Sequence, residues 1–514
     1  MTPSPGAAEG SAPWLDSLDS SFRNAGPLAG WTAGRRLGMS AKGFCCLTCA
    51  AGCARDRRIA GLRPELPLLG EFVVKNCIKI AALAAATLAS VSSVHAAGFM
   101  LSEQSVSGLG RAYAGAGIVG DDLSAVWYNP AGMVLLPGTQ FQMGGVYVDL
   151  DLSYQGDDGE TENGSKYGVP IPNLFLTRQM NDSIWFGLGL TVPYGLATEY
   201  SRTWGHIDRG MNAEIKVFDL NPNVAWKISD KLSIGAGISI QYADAQYETG
   251  VLGGMGYGRL DADSLAWGAN FGIMWSPTET LRFGLSYRSQ VNHHADGDLR
   301  LGSGLFDSSA VGNNKSYIAG FGSATASLSA PQTVMLTGTW EATPQLRVSA
   351  LIRWADWSSF DTLTVRGNMG SLEVYNPGAF QKFVQFLAGA GINLGSMDSL
   401  EVDVQNKWQD TWLFTLGADY KINSSWTVRA GVGYETSPID EDRYRTALIP
   451  DADRLWLALG ATWHVTENLQ GDFGFAWLHG VGDAPLYGDE NGTRVGEFDT
   501  LDAYLFGAQM VYRF

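Results

Sequence analysis

The chain has 514 residues, is 45% hydrophobic and only 17% charged, and carries a net charge of −17; soluble domains run near 25% charged. An acidic chain repels nucleic acid, which excludes that partner class. After residue 140 no apolar run reaches the roughly 18 residues that a membrane-spanning helix needs, so helical spans are excluded there as well.

All five cysteines (Cys45, Cys46, Cys49, Cys53 and Cys77) precede residue 97. No second pair or histidine follows Cys46-x-x-Cys49 at zinc spacing, so the pair reads as part of a leader. Residues 75–96 have the form of a secretory signal: Lys75 and Lys79 ahead of an apolar stretch from Ile80 to Leu88, then Val94-His95-Ala96 at a cleavage site. Cleavage there leaves Ala97 first. Residues 1–74 form an extension rich in Gly, Ala, Pro and Arg, and the expectation is a start codon set too early, with initiation near Val73 or Val74.

Residues 97–138 are rich in Gly, hold neither a helical nor a strand period, and are too apolar for a solvated tail. From residue 139 onward a period of two takes over. Leu232, Ile234, Ala236, Ile238 and Ile240 face one way while Ser233, Gly235, Gly237, Ser239 and Gln241 face the other, the pattern of a strand with one apolar face. Fourteen such segments are predicted, at 139–154, 171–179, 183–192, 214–228, 231–247, 265–276, 280–292, 332–342, 346–362, 411–422, 425–434, 453–464, 468–479 and 502–514. Their connections alternate between short turns such as Asn181-Asp182 and long loops such as 293–331 and 363–410. That sorting, an even strand count and a terminal Phe514 predict an all-β fold, a 14-stranded antiparallel transmembrane β-barrel of the bacterial outer membrane. Trp185, Trp340, Trp354, Trp426 and Trp463 near strand ends are expected in interfacial girdles. A barrel of this size is too wide for its own side chains to fill, so residues 97–138 are expected to plug the lumen and 139–514 to form the barrel.

Several motifs then stand in order along residues 97–514: Ala97-Gly98-Phe99, Ser107-Gly108-Leu109-Gly110-Arg111-Ala112-Tyr113, Asp121-Asp122, Asn129-Pro130-Ala131, Tyr194-Gly195-Leu196-Ala197-Thr198-Glu199-Tyr200, Tyr287-Arg288-Ser289 and Ile449-Pro450-Asp451-Ala452-Asp453-Arg454. With them the chain resembles the FadL family of long-chain fatty acid and hydrocarbon transporters, including its TodX-like branch. The resemblance implies an N-terminal hatch inside the barrel and an apolar ligand, a long-chain fatty acid or a hydrocarbon. It also implies lateral exit into outer-membrane lipid through a kinked third strand. On that reading Phe99, Leu101, Gly108, Arg111, Asn129, Pro130 and Ala131 belong to the hatch and ligand site, and Val192, Pro193, Tyr194 and Gly195 to the lateral opening. Pro193 and Gly195 carry independent weight, because proline gives no ladder donor and glycine permits a bend. The family's carboxylate-binding Arg position falls at Thr249 and its Lys position near Val404, so Arg353 and Arg429, which face the lumen by their period, and Lys407, close to the Lys position, are the substitutes expected to meet a carboxylate. The resemblance further implies a monomer, and Phe514 at the end of an alternating strand is typical of barrels that an outer-membrane assembly machinery recognises. No cofactor or metal is called for. A general porin and an outer-membrane enzyme are the competing classes; the apolar plug argues against the first, and the lack of G-x-S-x-G and H-E-x-x-H against the second.

Overall fold

The computed structural model describes residues 98–164, 168–201, 204–251, 256–303, 318–368, 399–488 and 492–514. The leader, the signal and the amphipathic stretch expected at 379–387 lie outside the described residues.

Fourteen strands form one closed ring. They are β1 (Thr139–Gly156), β2 (Val169–Gln179), β3 (Ile184–Glu199), β4 (Asn212–Ser229), β5 (Leu232–Val251), β6 (Gly256–Trp275) and β7 (Leu281–Arg288, continued by Val291–Ser303). Then follow β8 (Ile318–Ala330, continued by Thr333–Glu341), β9 (Leu346–Ala355, continued by Thr362–Asn368) and β10 (Ser399–Gln405, continued by Thr411–Lys421). The last four are β11 (Trp426–Glu435), β12 (Asp453–His464), β13 (Leu469–Val481) and β14 (Arg494–Arg513). Each pairs antiparallel with the next, and β1 closes on β14 from Gln140↔Arg513 to Gly156↔Gly496. Closure gives every strand a neighbour on both sides, as a sheet in lipid requires. Among the described residues no helix is long and apolar enough to cross a membrane.

The two faces sort as their periods require. Ile234, Ile238, Leu265, Trp267, Leu416 and Leu459 are exposed on the outside, while Ser233, Ser239, Gln241 and Asn270 are buried within. Trp340, Trp426 and Trp463 are exposed as girdle residues are. Trp185 is not one of them: it points inward, 3% exposed, and its indole donates to the Leu136 carbonyl at 2.9 Å. The strands also outrun their predicted ends. Much of 293–331 and 363–410, expected as loops, is strand at Val291–Ser303, Ile318–Ala330, Thr362–Asn368 and Ser399–Gln405. Above the lipid neither face need be apolar, so these extensions lack the period that reveals the spanning portions.

Residues 98–138 bond to walls on every side. The Val106 N–H donates to Gln509 Oε1 on β14 (2.8 Å), the Gly115 N–H to the Ala350 carbonyl on β9 (3.3 Å) and Asn129 Nδ2 to the Ile273 carbonyl on β6 (3.1 Å). Only a segment inside the ring can reach all three. Its lack of period has a local cause: two single-turn helices (Val106–Leu109 and Ala125–Tyr128) and a 3₁₀ turn (Pro130–Leu135) are joined by coils that need Gly115, Gly117 and Gly120 at φ 73°, 79° and 80°. Wall glycines let it approach closely. A Cβ on Gly431 would stand 2.2 Å from the Arg111 carbonyl carbon, and one on Gly272 would stand 2.0 Å from Asn129 Oδ1.

Ion pairs lock the lower part of this segment. Arg111 Nη1 meets Asp121 Oδ2 at 2.7 Å and Asp419 Oδ1 of β10 at 3.4 Å. Arg429 of β11 reaches the same two carboxylates at 3.1 and 2.7 Å. Arg111, Asp419 and Arg429 are all buried. Such a network is stable only because every charge is compensated.

Candidate ligand pocket and lateral opening

β3 keeps its partner on one side and loses it on the other. Along β4 it pairs to its end, with a bulge: Thr191 faces Asp219 and Tyr194 faces Val217, so Val192 and Pro193 together oppose Phe218. Along β2 pairing stops at Leu174↔Leu190, although β2 continues to pair with β1 down to Val169. The sequence of β2 supplies the reason. The Gln179 N–H points at β1 and the Met180 N–H turns to the β3 side. Alternation then puts the nitrogens of residues 170 and 172 toward β3, and both are proline. The edge of β2 facing the gap therefore offers no N–H at either position. The resulting opening, about 210 Å³, is lined by Met143, Pro172, Asn173, Leu190, Val192 and Phe218 among others.

The start of the inner segment takes the vacated place beside β3. The Leu101 N–H donates to the Pro193 carbonyl (2.8 Å), the Gly195 N–H to the Phe99 carbonyl (2.9 Å) and Gln104 Nε2 to the Val192 carbonyl (2.7 Å). Leu101, Val192, Pro193, Tyr194 and Gly195, singled out separately in the sequence, thus meet in one short ladder. It is anchored from a loop: the Gly98 N–H donates to Asp451 Oδ2 at 2.9 Å. Burial pushes that carboxyl up to about 6, against the pull of Arg454.

On the inner side of Pro193 lies a pocket. The inner segment contributes Met100, Ser102, Tyr113, Trp127 and Tyr128, and the wall contributes Tyr194, Arg288, Met335, Leu351, Arg353 and Leu413. Its free space is about 30 Å³, room for little more than one water, so a larger ligand must displace side chains. Arg288 is the more heavily engaged: Nη1 bonds Asp219 at 3.0 Å and Ser239 Oγ at 3.3 Å, Nη2 bonds the Trp127 carbonyl at 3.0 Å and Asn221 Oδ1 at 3.4 Å, and the guanidinium lies 4.7 Å from the centre of the Trp127 ring. Arg353 is less committed. Nη2 bonds Glu435 Oε1 and Nη1 bonds Ser102 Oγ, both at 2.7 Å. A guanidinium has five N–H groups, so Arg353 keeps donors in hand. Tyr113 OH and Trp127 Nε1 are buried with no hydrogen-bond partner among the described residues.

The other expected residues divide. Asn129, Pro130 and Ala131 sit on the β5–β7 wall, where Ser233 Oγ also donates to the Ala131 carbonyl at 2.9 Å, and Pro130 also lines the pocket. Gly108 abuts Tyr113, and a Cβ there would stand 2.9 Å from its ring. Phe99 is fully buried but is not part of the pocket lining; it packs edge-on against Trp357 and Phe360, with ring centres 4.7 and 5.5 Å away. Lys407 is a correction. It lies outside the pocket, 41% exposed, and its ammonium pairs with Asp361 at 2.9 Å. Charge and approximate register suggested it, but it falls in the bend between Gln405 and Thr411, beyond the strand face that looks inward. Thr249 also lies away from the pocket, bonding the Ile207 carbonyl. Sequence reasoning missed Tyr113 and Trp127 as pocket residues, and it missed Pro170 and Pro172. The two prolines had a legible signal: Val-Pro-Ile-Pro puts both on one edge of a strand.

Comparison with known proteins agrees with this architecture. The family model described as outer membrane protein transport protein (OMPP1/FadL/TodX) matches residues 86–514. The long-chain fatty acid transport protein of Escherichia coli is 28% identical over 86% of this chain and 99% of its own. Outer membrane protein P1 of Haemophilus influenzae is 29% identical over 84% and 98%. Among solved structures, a Pseudomonas aeruginosa FadL homologue superposes with TM-score 0.67 at 24% identity, covering 81% of this chain and 100% of that one. The Pseudomonas putida toluene transporter TodX gives 0.59 at 17%, covering 76% and 94%. With the matched family spanning the barrel, the inner segment and the interrupted third strand, the chain belongs to the OMPP1/FadL/TodX family of outer-membrane transport proteins.

Proposed function

We propose that this barrel carries long-chain fatty acids across the outer membrane, taking them into the pocket beside Arg353 and releasing them sideways between β2 and β3. The observation that carries the reading is the pocket itself. Arg353, with donors to spare, and the unpartnered Tyr113 hydroxyl and Trp127 N–H stand beside Met100, Met335, Leu351 and Leu413, next to a wall that stops pairing at Leu190. An apolar body with acceptor oxygens at one end suits that lining. The inner segment acts as a hatch: Arg111 and Asn129-Pro130-Ala131 hold it to the wall, and the ladder at Phe99–Leu101 is the part free to shift. Each buried CH₂ is worth about 0.8 kcal/mol, so a sixteen-carbon chain resists a watery exit by roughly 12 kcal/mol. Release into lipid avoids that cost, and no energy source is needed. The protein works as a monomer without catalysis, and Phe514, whose N–H closes on the Thr139 carbonyl (2.9 Å), is the residue read by the assembly machinery.

A second reading, an uncharged hydrocarbon as cargo, is favoured by one observation: Arg353 and Arg288 are already paired with Glu435 and Asp219, leaving the pocket with little net charge. Titrating the purified barrel separately with oleate and toluene, followed by Trp fluorescence, decides between them. Saturable oleate binding is expected. Saturable toluene binding with no oleate response gives the site to hydrocarbons.

A further inference from the structure

The lateral opening is not uniformly apolar. Asn173 and Thr191 would form the next cross-strand pair if the β2–β3 ladder continued past Leu174↔Leu190. Both line the opening, and they are 2% and 1% exposed. Asn173 Nδ2 and Thr191 Oγ1 have no hydrogen-bond partner among the described residues. The orientation of the Asn173 amide is set from behind. The Leu123 N–H donates to Gln142 Oε1 at 2.7 Å, which leaves the Gln142 NH₂ to face Asn173 Oδ1 at 3.4 Å and turns Asn173 Nδ2 away from Gln142. A buried donor without a partner is costly to keep, and a passage serving only hydrocarbons gains nothing from two of them.

We propose that Asn173 and Thr191 form a binding station in the wall for the head group of a carboxylic acid, between the inner pocket and the bilayer. The proposal rests on the fatty-acid reading above and deepens it. Among the described residues no charged side chain lines this opening, so the station takes the acid in its uncharged, protonated form: Nδ2 donates to the carbonyl oxygen, and Thr191 Oγ1 accepts a hydrogen bond from the acid's O–H. A carboxylate bound for a lipid interior takes up a proton from water rather than carry its charge there. The station supplies two hydrogen bonds at that point. The prolines at 170 and 172 leave the backbone edge beside it without donors, so these side chains provide the polarity of the exit.

The test compares two cargoes on one protein. In cells with no other outer-membrane channel for them, uptake of radiolabelled oleate and of toluene is measured for the parent, for Asn173→Leu with Thr191→Val, and for Thr191→Ser. The double variant is expected to slow oleate uptake about tenfold, in line with loss of hydrogen bonds to a buried polar group, and to leave toluene uptake unchanged. Thr191→Ser, which keeps the hydroxyl, is expected to match the parent. Unchanged oleate uptake in the double variant overturns the station, and so does an equal fall for both cargoes, which marks a structural role. A parent that passes toluene but not oleate overturns the underlying reading instead, and is recognised before any variant is made.

Discussion

Arg353→Ala is expected to weaken oleate binding by about tenfold to a hundredfold and to leave toluene binding unchanged. A hydrogen bond to a charged group is worth roughly 1.5–3 kcal/mol, and Arg353 is the pocket cation with N–H groups not yet used on Glu435 or Ser102. The substitution also strands Glu435, which is 1% exposed, and breaking one side of a buried pair costs about 3–5 kcal/mol. Arg353→Met combined with Glu435→Gln separates the effects: it restores stability without restoring oleate affinity. Lys407→Ala is the matching control. Its exposed pair with Asp361 belongs to a class worth about 0–1 kcal/mol, so neither ligand's affinity is expected to change. Isothermal titration of the four proteins with both ligands reads all of this. Equal losses for oleate and toluene in Arg353→Ala would assign the residue to packing alone.

Deleting Pro193 is expected to abolish oleate delivery while leaving the barrel assembled. Val192 and Pro193 share a single partner, Phe218, so removing one residue restores a one-to-one register on β3 without turning Tyr194 to the other face. Gln104 and Leu101 then lose their carbonyl acceptors at Val192 and Pro193, and β3 becomes free to pair with β2 beyond Leu190. Heat-modified mobility in detergent gels reports an intact barrel, and uptake of labelled oleate reports delivery. Undiminished uptake by an intact deleted protein would place the exit elsewhere.

The spanning barrel was legible in the sequence because lipid imposes a period of two on the outer face, as Leu232 to Ile240 on β5 display. The extracellular halves of β7 to β10 were not, since no medium there demands one apolar face. The burial of the inner segment was legible from its apolar content, whereas its path depends on left-handed glycines and on wall glycines such as Gly431, whose meaning appears only when Arg111 stands against it. The interruption at Pro193 was legible mainly from the family resemblance, with proline chemistry in support. Its counterpart on β2 needed the direction of two N–H groups at Gln179 and Met180, a parity that residue types do not carry. The pocket was half legible: Arg353 faces inward on a strand whose period is clear, but Tyr113 and Trp127 reach it from coil and a single helical turn, where no period assigns a face.

Passage through the wall is tested most directly by closing it reversibly. The chain has no cysteine after Cys77, so Pro172→Cys with Val192→Cys places a lone thiol pair across the opening that both residues line. With the disulfide formed, oleate binding is expected to persist and oleate uptake to stop, and reduction is expected to restore uptake to the parent's rate. Uptake that proceeds unchanged through the oxidised barrel would contradict lateral release and send the ligand down the lumen.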